Sequence, residues 1–503
     1  VERISVHKNY IPADYSGATS GLIRISAGDS IPEKWSLSSN TNFTHSDLVL
    51  KTPIGKKLGL IIAGRKSFNH LWESPSFNAY NTKLFEGKRE DFEGDDETEN
   101  KLQIDSELKF SDVNAKLIFQ PGSRDYFSMN AMHSKDVLFF QSQNQEDNAT
   151  INQRHEVEFS GVNFRYQHKW SKRWSTAISF SNATYSLENS YGLRIADVVE
   201  PVQDSSSVTN RLHNSETRLS FIRATPGEGQ FRMGYQFNAF RNHLNYREST
   251  IDEGGWMDTL EAGELVHGLF FLWEQKWPSR LVIRPQLRFD FYQSSEIMVL
   301  NPIFNFQYPV ADGMWLKGSY GHYSQALRSM NELQINASNV SEYVWLLADG
   351  DDLEILRSKQ EALGVLYKKK GWLMDIDLYG RTTQGISAIN QVQEDVAEDI
   401  DFASGSGTSV GLDFMVKKKF GAYQSWLSYS FSKTRNQFKE LLQGSFDANN
   451  DRPHQLNWTN NYRWKQFDFS LAFQLKSGAP YTPANKLVYD GVNDEHFIEY
   501  KEI

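Results

Sequence analysis

The residues closest to a catalytic arrangement are Asp451 and His454, three positions apart. A carboxylate beside an imidazole is what a general base needs. No nucleophile accompanies them in a known pattern, and the His-Glu-x-x-His, P-loop and Gly-x-Ser-x-Gly motifs are absent. The pair reads better as the start of a strand at a rim. Carboxylate runs offer a second chemistry. Asp91, Glu93, Asp95, Asp96, Glu97 and Glu99, within 86–107, have the ligand type that holds calcium or a cationic ligand, as does Asp349-Gly350-Asp351-Asp352. The second group lacks EF-hand spacing, and charge runs are more often solvated loops. An apolar group, Tyr343 to Leu347 (with Val344, Trp345 and Leu346), stands in a polar stretch, exposed to a ligand or partner or covering an opening. Packing on neighbouring loops is its plainer reading. No catalytic, cofactor-binding or metal-binding residue is assigned, no ligand-binding residue can be chosen, and an enzyme is not expected.

The elements that position these groups follow from composition and pattern. The 503 residues include no cysteine, so neither a disulfide nor a thiolate metal site can form. A net charge of −10 gives no support to a nucleic-acid partner. Mean hydropathy is −0.56, and the longest apolar stretch, around Leu58 to Gly64, is far below the 18 or so residues of a membrane helix. A membrane barrel is not excluded, because its strands need only about 9–11 residues and alternate polar with apolar.

Two regularities favour such a barrel. Tight connections at 53–57, 120–124, 169–173, 225–229, 277–280, 310–313, 369–371, 420–422 and 463–466 alternate with polar stretches. Those stretches, near 70–110, 134–155, 188–212, 246–262, 324–358, 384–407 and 437–452, read as long loops. Short turns at one end and long loops at the other are the pattern of an outer-membrane barrel. The strands between them alternate with period two. Leu281, Ile283, Leu287, Phe289 and Phe291 share one face, while Arg284, Arg288 and Asp290 share the other. An Arg or Lys facing mid-bilayer costs about 2–4 kcal/mol, so the apolar face looks outward. Arg24, Arg284, Arg288 and Arg381 are then candidates for the lumen, either paired with acidic groups on whatever fills it or, as the less favoured role, binding an anion. Trp170, Trp174, Trp277 and Trp464 lie beside Lys or Arg at the tight turns, as an interfacial girdle would. A soluble sandwich or propeller also alternates, but no blade repeat is present.

The fold class expected is all-β: a transmembrane antiparallel β-barrel with about 19 of an expected 22 strands, an odd count being unusual for bacterial barrels. The chain is expected to be truncated at both ends, with the last strand near 466–477 and an unfinished loop after Pro483.

Residues 1–26 read differently, and a family resemblance enters with them. Val1-Glu2-Arg3-Ile4-Ser5-Val6, then Tyr15-Ser16-Gly17-Ala18-Thr19-Ser20-Gly21 and Leu22-Ile23-Arg24-Ile25, resemble the last plug segment of TonB-dependent outer-membrane receptors. Ser16 and Ser20 replace usual glycines. Asp451-Arg452-Pro453-His454 followed by Ser477-Gly478-Ala479-Pro480-Tyr481-Thr482-Pro483 is similar to a stretch of Bacteroidota barrels of that family. Residues 360–365 and 409–414 resemble its recurring strand starts. The resemblance implies residues 1–30 as the C-terminal end of a plug domain and 31–503 as the barrel, multi-pass in the bacterial outer membrane. It also implies active import of a scarce small-molecule ligand, a ferric siderophore or other small nutrient. The implied partners are outer-membrane lipid and the TonB–ExbB–ExbD energy-coupling complex, with a surface lipoprotein as a further candidate; no cofactor is implied. The alternative is a receptor-like barrel serving as a structural or receptor subunit of a larger outer-membrane complex.

Overall fold

The computed structural model describes residues 2–68, 75, 102–144, 149–195, 202–250, 254–330, 343–350, 353–389, 402–438, 444–480, 484–490 and 495–500. Strands β1 (Arg3–His7) and β2 (Leu22–Ser26) form a small antiparallel sheet of their own. A wall of strands follows in chain order: β3 (Ser36–Thr41), β4 (His45–Ile54), β5 (Leu58–Ser67), β6 (Leu102–Phe119), β7 (Asp125–Asn144), β8 (Ala149–Lys169) and β9 (Trp174–Ile195). It continues through β10 (Val202–Thr225), β11 (Gly229–Thr250), β12 (Gly254–Lys276), β13 (Val282–Tyr292), β14 (Ile297–Ala311) and β15 (Met314–Gln325). A separate hairpin of β16 (Leu327–Met330) and β17 (Val344–Leu347) interrupts the wall. The wall resumes with β18 (Leu356–Lys369), β19 (Trp372–Ile389), β20 (Phe402–Phe420), β21 (Tyr423–Phe438), the two-residue β22 (Phe446–Asp447), β23 (His454–Trp464) and β24 (Phe467–Lys476). A last hairpin joins β25 (Ala484–Asp490) to β26 (Glu495–Tyr500), where an unfinished loop was expected.

The wall closes as a barrel in which each strand is antiparallel to its chain neighbours, and the ring order places β24 beside β3. The register is defined for β24 against β23 and for β3 against β4. Strands β3 and β24 are exposed along their whole length.

The expected tight turns all appear, with Gly55, Gly227, Gly313, Gly371 and Gly421 supplying the left-handed residue. The expected long loops need correction. Much of 134–155, 188–212 and 246–262 is strand: β7 pairs with β8 out to Asn144↔Ala149, β9 with β10 to Ile195↔Val202, and β11 with β12 to Thr250↔Gly254. The 24 residues of β10 extend about 80 Å at 3.3 Å each, far more than a bilayer requires. Beyond the bilayer the outer face has no reason to be apolar. Alternation therefore fades from the sequence while the ladder of hydrogen bonds continues.

Facing is as the alternation implied. On β13, Gln286, Arg288, Asp290 and Tyr292 are buried inside, while Leu287 is exposed on the outer face. Leu269, Phe271 and Trp273 of β12, and Ile376 and Leu378 of β19, are exposed outward in the same way.

Candidate functional site in the barrel lumen

The N-terminal segment lies inside the barrel, bonded to inward-facing side chains of the wall. The Ile11 amide donates to the Tyr323 hydroxyl at 3.2 Å and the Ala13 amide to Gln286 Oε1 at 2.8 Å. The Ala13 carbonyl accepts from Arg288 Nη1 at 3.0 Å, the Asn9 carbonyl from the Ser319 hydroxyl at 2.8 Å, and the Ser20 carbonyl from Arg381 Nη2 at 3.0 Å. Ile11 and Ala13 are fully buried with Phe270, Ile303 and Tyr323. Gly17, at φ +67°, lets the chain reverse at the apex of this segment. Three ion pairs add charge to the docking: Asp14 with Arg232, Lys8 with Asp413, and Asp29 with the buried Lys116. Arg218 also stacks over the Tyr15 ring, 5.3 Å from its centroid.

Above this apolar layer sits a buried polar belt. The Arg288 guanidinium contacts Asp290 at 2.7 Å, both residues almost completely enclosed. Asn301 donates to Asp290 at 3.2 Å and to the Ser324 hydroxyl at 3.0 Å, and the Tyr292 hydroxyl donates to Ser324 at 2.9 Å. A buried ion pair is tolerable only when most of its polar atoms are satisfied. Here Arg288 Nε bonds both Asp290 oxygens and Nη1 the Ala13 carbonyl, while Arg288 Nη2 and Asn301 Oδ1 have no hydrogen-bond partner among the described residues. Glu264, fully buried, is taken up as a turn cap: it accepts from the Ser294 and Ser295 amides at 2.8 and 3.2 Å.

The β16–β17 hairpin forms the next layer, folded into the lumen. Val344, Leu346 and Met330 pack with Leu187, Val208 and Leu244 of the wall. Leu347 and Ala348 pack with Val266, Tyr292 and Ile355. Asn210 and Asn242 bind the backbone of Trp345. Arg328, buried and lowered by that burial to about 10, stays protonated at neutral pH and donates to the Gly385 carbonyl at 2.7 Å. Along β11, Asn238 reaches Ser16 and Asn242 reaches Trp345. Those contacts are four residues apart, about 13 Å along the strand. Two obstructions therefore stand in series in one side of the lumen.

Ionisable groups of the N-terminal segment respond to this setting. Burial holds the His7 imidazole below its ordinary value. Burial alone would raise Asp29, but the hydrogen bond and charge of Lys116, with the Tyr126 hydroxyl, hold its carboxyl below the usual range.

The sequence candidates fall as follows. Asp451 and His454 are not a pair: Asp451 accepts from the Thr434 amide at 3.0 Å and contacts Lys433, whereas His454 faces the Tyr429 hydroxyl at 2.8 Å. Asp349 accepts from the Leu353 amide at 3.0 Å as a turn cap. Asp351, Asp352 and the acidic residues from Asp91 to Glu99 lie outside the described residues. The 343–347 group is not exposed as a whole; Val344, Leu346 and Leu347 are buried, and Tyr343 alone is markedly open. Arg284, Arg288 and Arg381 face the lumen, but their acidic partners are not on the N-terminal segment. Arg284 pairs with Glu274 and Arg288 with Asp290, both in the wall, and Arg381 meets a carbonyl. Arg24 donates to the Tyr15 hydroxyl at 3.0 Å. A wall arginine finds a carboxylate most readily on its own or an adjacent strand, where register fixes the distance. The true inter-segment pairs, Asp14–Arg232, Lys8–Asp413 and Asp29–Lys116, join residues 87 or more positions apart, and no local signal announces them.

The sequence that builds this barrel matches one family model, "TonB dependent receptor-like, beta-barrel", over residues 71–499. The chain belongs to that family. Membership implies an outer-membrane barrel, in a family of receptors and transporters rather than enzymes. The fold is similar to the siderophore receptor PirA from Acinetobacter baumannii, at TM-score 0.56 and 13% identity, covering 94% of this chain and 72% of that one. It is similar to the copper transporter OprC at TM-score 0.62 and 10% identity, covering 94% and 73%. It is also similar to the RagAB peptide transporter at TM-score 0.57 and 9% identity, covering 86% of this chain and 61% of that one. At such identities the likeness shows the fold. No curated protein matches the sequence.

Proposed function

We propose that this chain performs TonB-dependent import of a small nutrient across the bacterial outer membrane, with residues 1–30 as the closing segment of a plug and 31–503 as barrel. The observation that carries this is the N-terminal segment held in the lumen through Lys8, Ile11, Ala13, Asp14 and Ser20 by strands on several sides of the barrel. Passage requires that segment to be displaced, and its bonds are individually weak enough for a pulling force to break in turn. The similar structures are described as a siderophore receptor, a copper transporter and a peptide transporter, which supports a small scarce nutrient as the cargo. A ferric siderophore is our first candidate. A surface lipoprotein is a further candidate partner.

The test is accumulation of ferric siderophores, copper and short peptides by cells expressing the whole receptor, with and without TonB. One cargo should accumulate only with TonB. The 503 residues include no cysteine, so Lys8→Cys and Asp413→Cys joined by a bifunctional thiol cross-linker with an internal disulfide, long enough to replace the ion pair, would pin the segment, and uptake should stop until reductant is added. Uptake indifferent to both TonB and the cross-link would overturn the reading. Stable co-purification with other envelope proteins, without any uptake, would support a structural subunit instead.

A further inference from the structure

Away from the lumen, the short-turn rim concentrates positive charge that the chain as a whole does not carry. The nine connections at this end span 54–58, 119–125, 169–174, 223–229, 276–282, 310–314, 367–372, 417–423 and 463–467. They hold seventeen of the 53 Lys and Arg but three of the 63 Asp and Glu. Lys56, Lys57, Lys172, Arg173, Lys370 and Lys419 are exposed and make no side-chain ion pair among the described residues.

Others lie over aromatic rings. Lys418 Nζ is 4.5 Å from the Trp372 centroid and 4.9 Å from that of Phe420. Arg223 lies 5.0 Å over Trp174, and Lys465 lies 5.2 Å over Trp464. Rings of this kind sit at headgroup level, and the cations stacked on them are held at that same level. Backbone geometry adds an independent sign. Arg280, Lys370 and Lys465 adopt positive φ, at 64°, 50° and 55°. Gly, Asn or Asp would occupy those turn positions with less strain. Charge is present there in spite of the conformation.

We propose that this rim is a docking surface for the phosphate headgroups of anionic phospholipid in the adjoining leaflet. Charge complementarity selects an anion, and the distribution selects a leaflet: eight of the nine connections carry a cation, so the charge runs round the circumference. A globular partner would touch one arc. Lys and Arg near an anionic membrane surface are attracted to it, and salt screens that attraction over about 8 Å at physiological strength. The inference needs a membrane-embedded barrel and is independent of cargo and of TonB.

The experiment reconstitutes the full protein in bilayers mixing phosphatidylcholine with phosphatidylglycerol and quantifies lipid retained after detergent extraction. Roughly tenfold enrichment of phosphatidylglycerol is expected, decaying with added salt. Neutralising Lys56, Lys57, Lys172, Arg173, Lys370 and Lys419 to Gln should abolish the enrichment, with folding verified by heat-modifiable gel mobility. The salt series on the unaltered protein decides the matter if that variant misfolds. Retention in bulk proportion, or enrichment insensitive to salt, overturns the proposal, whether or not import is found.

Discussion

The Asn210 side chain holds both backbone polar groups of Trp345. Its Nδ2 donates to the Trp345 carbonyl at 3.0 Å and its Oδ1 accepts the Trp345 amide at 2.7 Å. One amide side chain on β10 thus does for β17 what a neighbouring strand would do. Because Asn210 is fully buried, nothing in solvent replaces it.

Replacing Asn210 with Ala should therefore release the hairpin while leaving the barrel folded. The Trp345 carbonyl keeps its bond from Asn242, but the amide is left unsatisfied, at a cost of about 1–3 kcal/mol. Hydrogen exchange at Val344–Leu347 should accelerate markedly, with unchanged protection along β10 and β11. Unchanged protection of the hairpin would mean that its apolar packing alone holds it.

The Arg288–Asp290 pair predicts a stability effect at a residue that touches neither charge by sequence. Gly268, on the adjacent strand, has no room for a Cβ, which would meet the Arg288 guanidinium and Asp290 Oδ1. Gly268→Ala should displace Arg288 and destabilise the barrel. Arg288→Met, which strands Asp290, should cost about 3–5 kcal/mol, and the Arg288→Met/Asp290→Leu double variant should recover much of it. Thermal unfolding in detergent, followed by gel mobility, measures all three.

Docking of the N-terminal segment should weaken in acid. The folded-state carboxyl of Asp29 lies below its ordinary value, so its contribution is fully present above about pH 4 and is lost as pH falls through the lowered value. Protease susceptibility of residues 26–31 should rise over that range. A Lys116→Met variant should be susceptible throughout and show little pH dependence there.

Lys8 and Asp413 should behave as a coupled pair. Lys8→Asp alone should speed hydrogen exchange of β1, and Lys8→Asp/Asp413→Lys should restore much of the protection. Failure of the swap to restore it would place the hold on the Ile11 and Ala13 contacts. Lys8 is half exposed, so the single change should be modest.

Much of the barrel was legible in the chain because its rules are local. Leu287 and Phe289 look outward and Arg288 inward since neighbouring residues of a strand point to opposite faces. Tight turns announced themselves through residues such as Gly55 and Gly371, whose positive φ suits no other side chain as well. The upper parts of β7 to β12 were misread as loops because their outer faces need not be apolar beyond the bilayer. The lumen was far less legible. Val344 and Leu346 stand in a polar stretch whose sequence looks exposed, and Asn210 is one polar residue in a strand full of them.

The sequence by itself determined the strands, their outward faces and the turn-end girdle of Trp and Lys, because each follows from backbone periodicity and from the solvent on either side. Tertiary structure alone decided which way the β16–β17 hairpin folds, and that Asp14 meets Arg232 and Lys8 meets Asp413. Those contacts join residues that only closure of the ring brings together. Their distances depend on accumulated register and curvature, which no local pattern records.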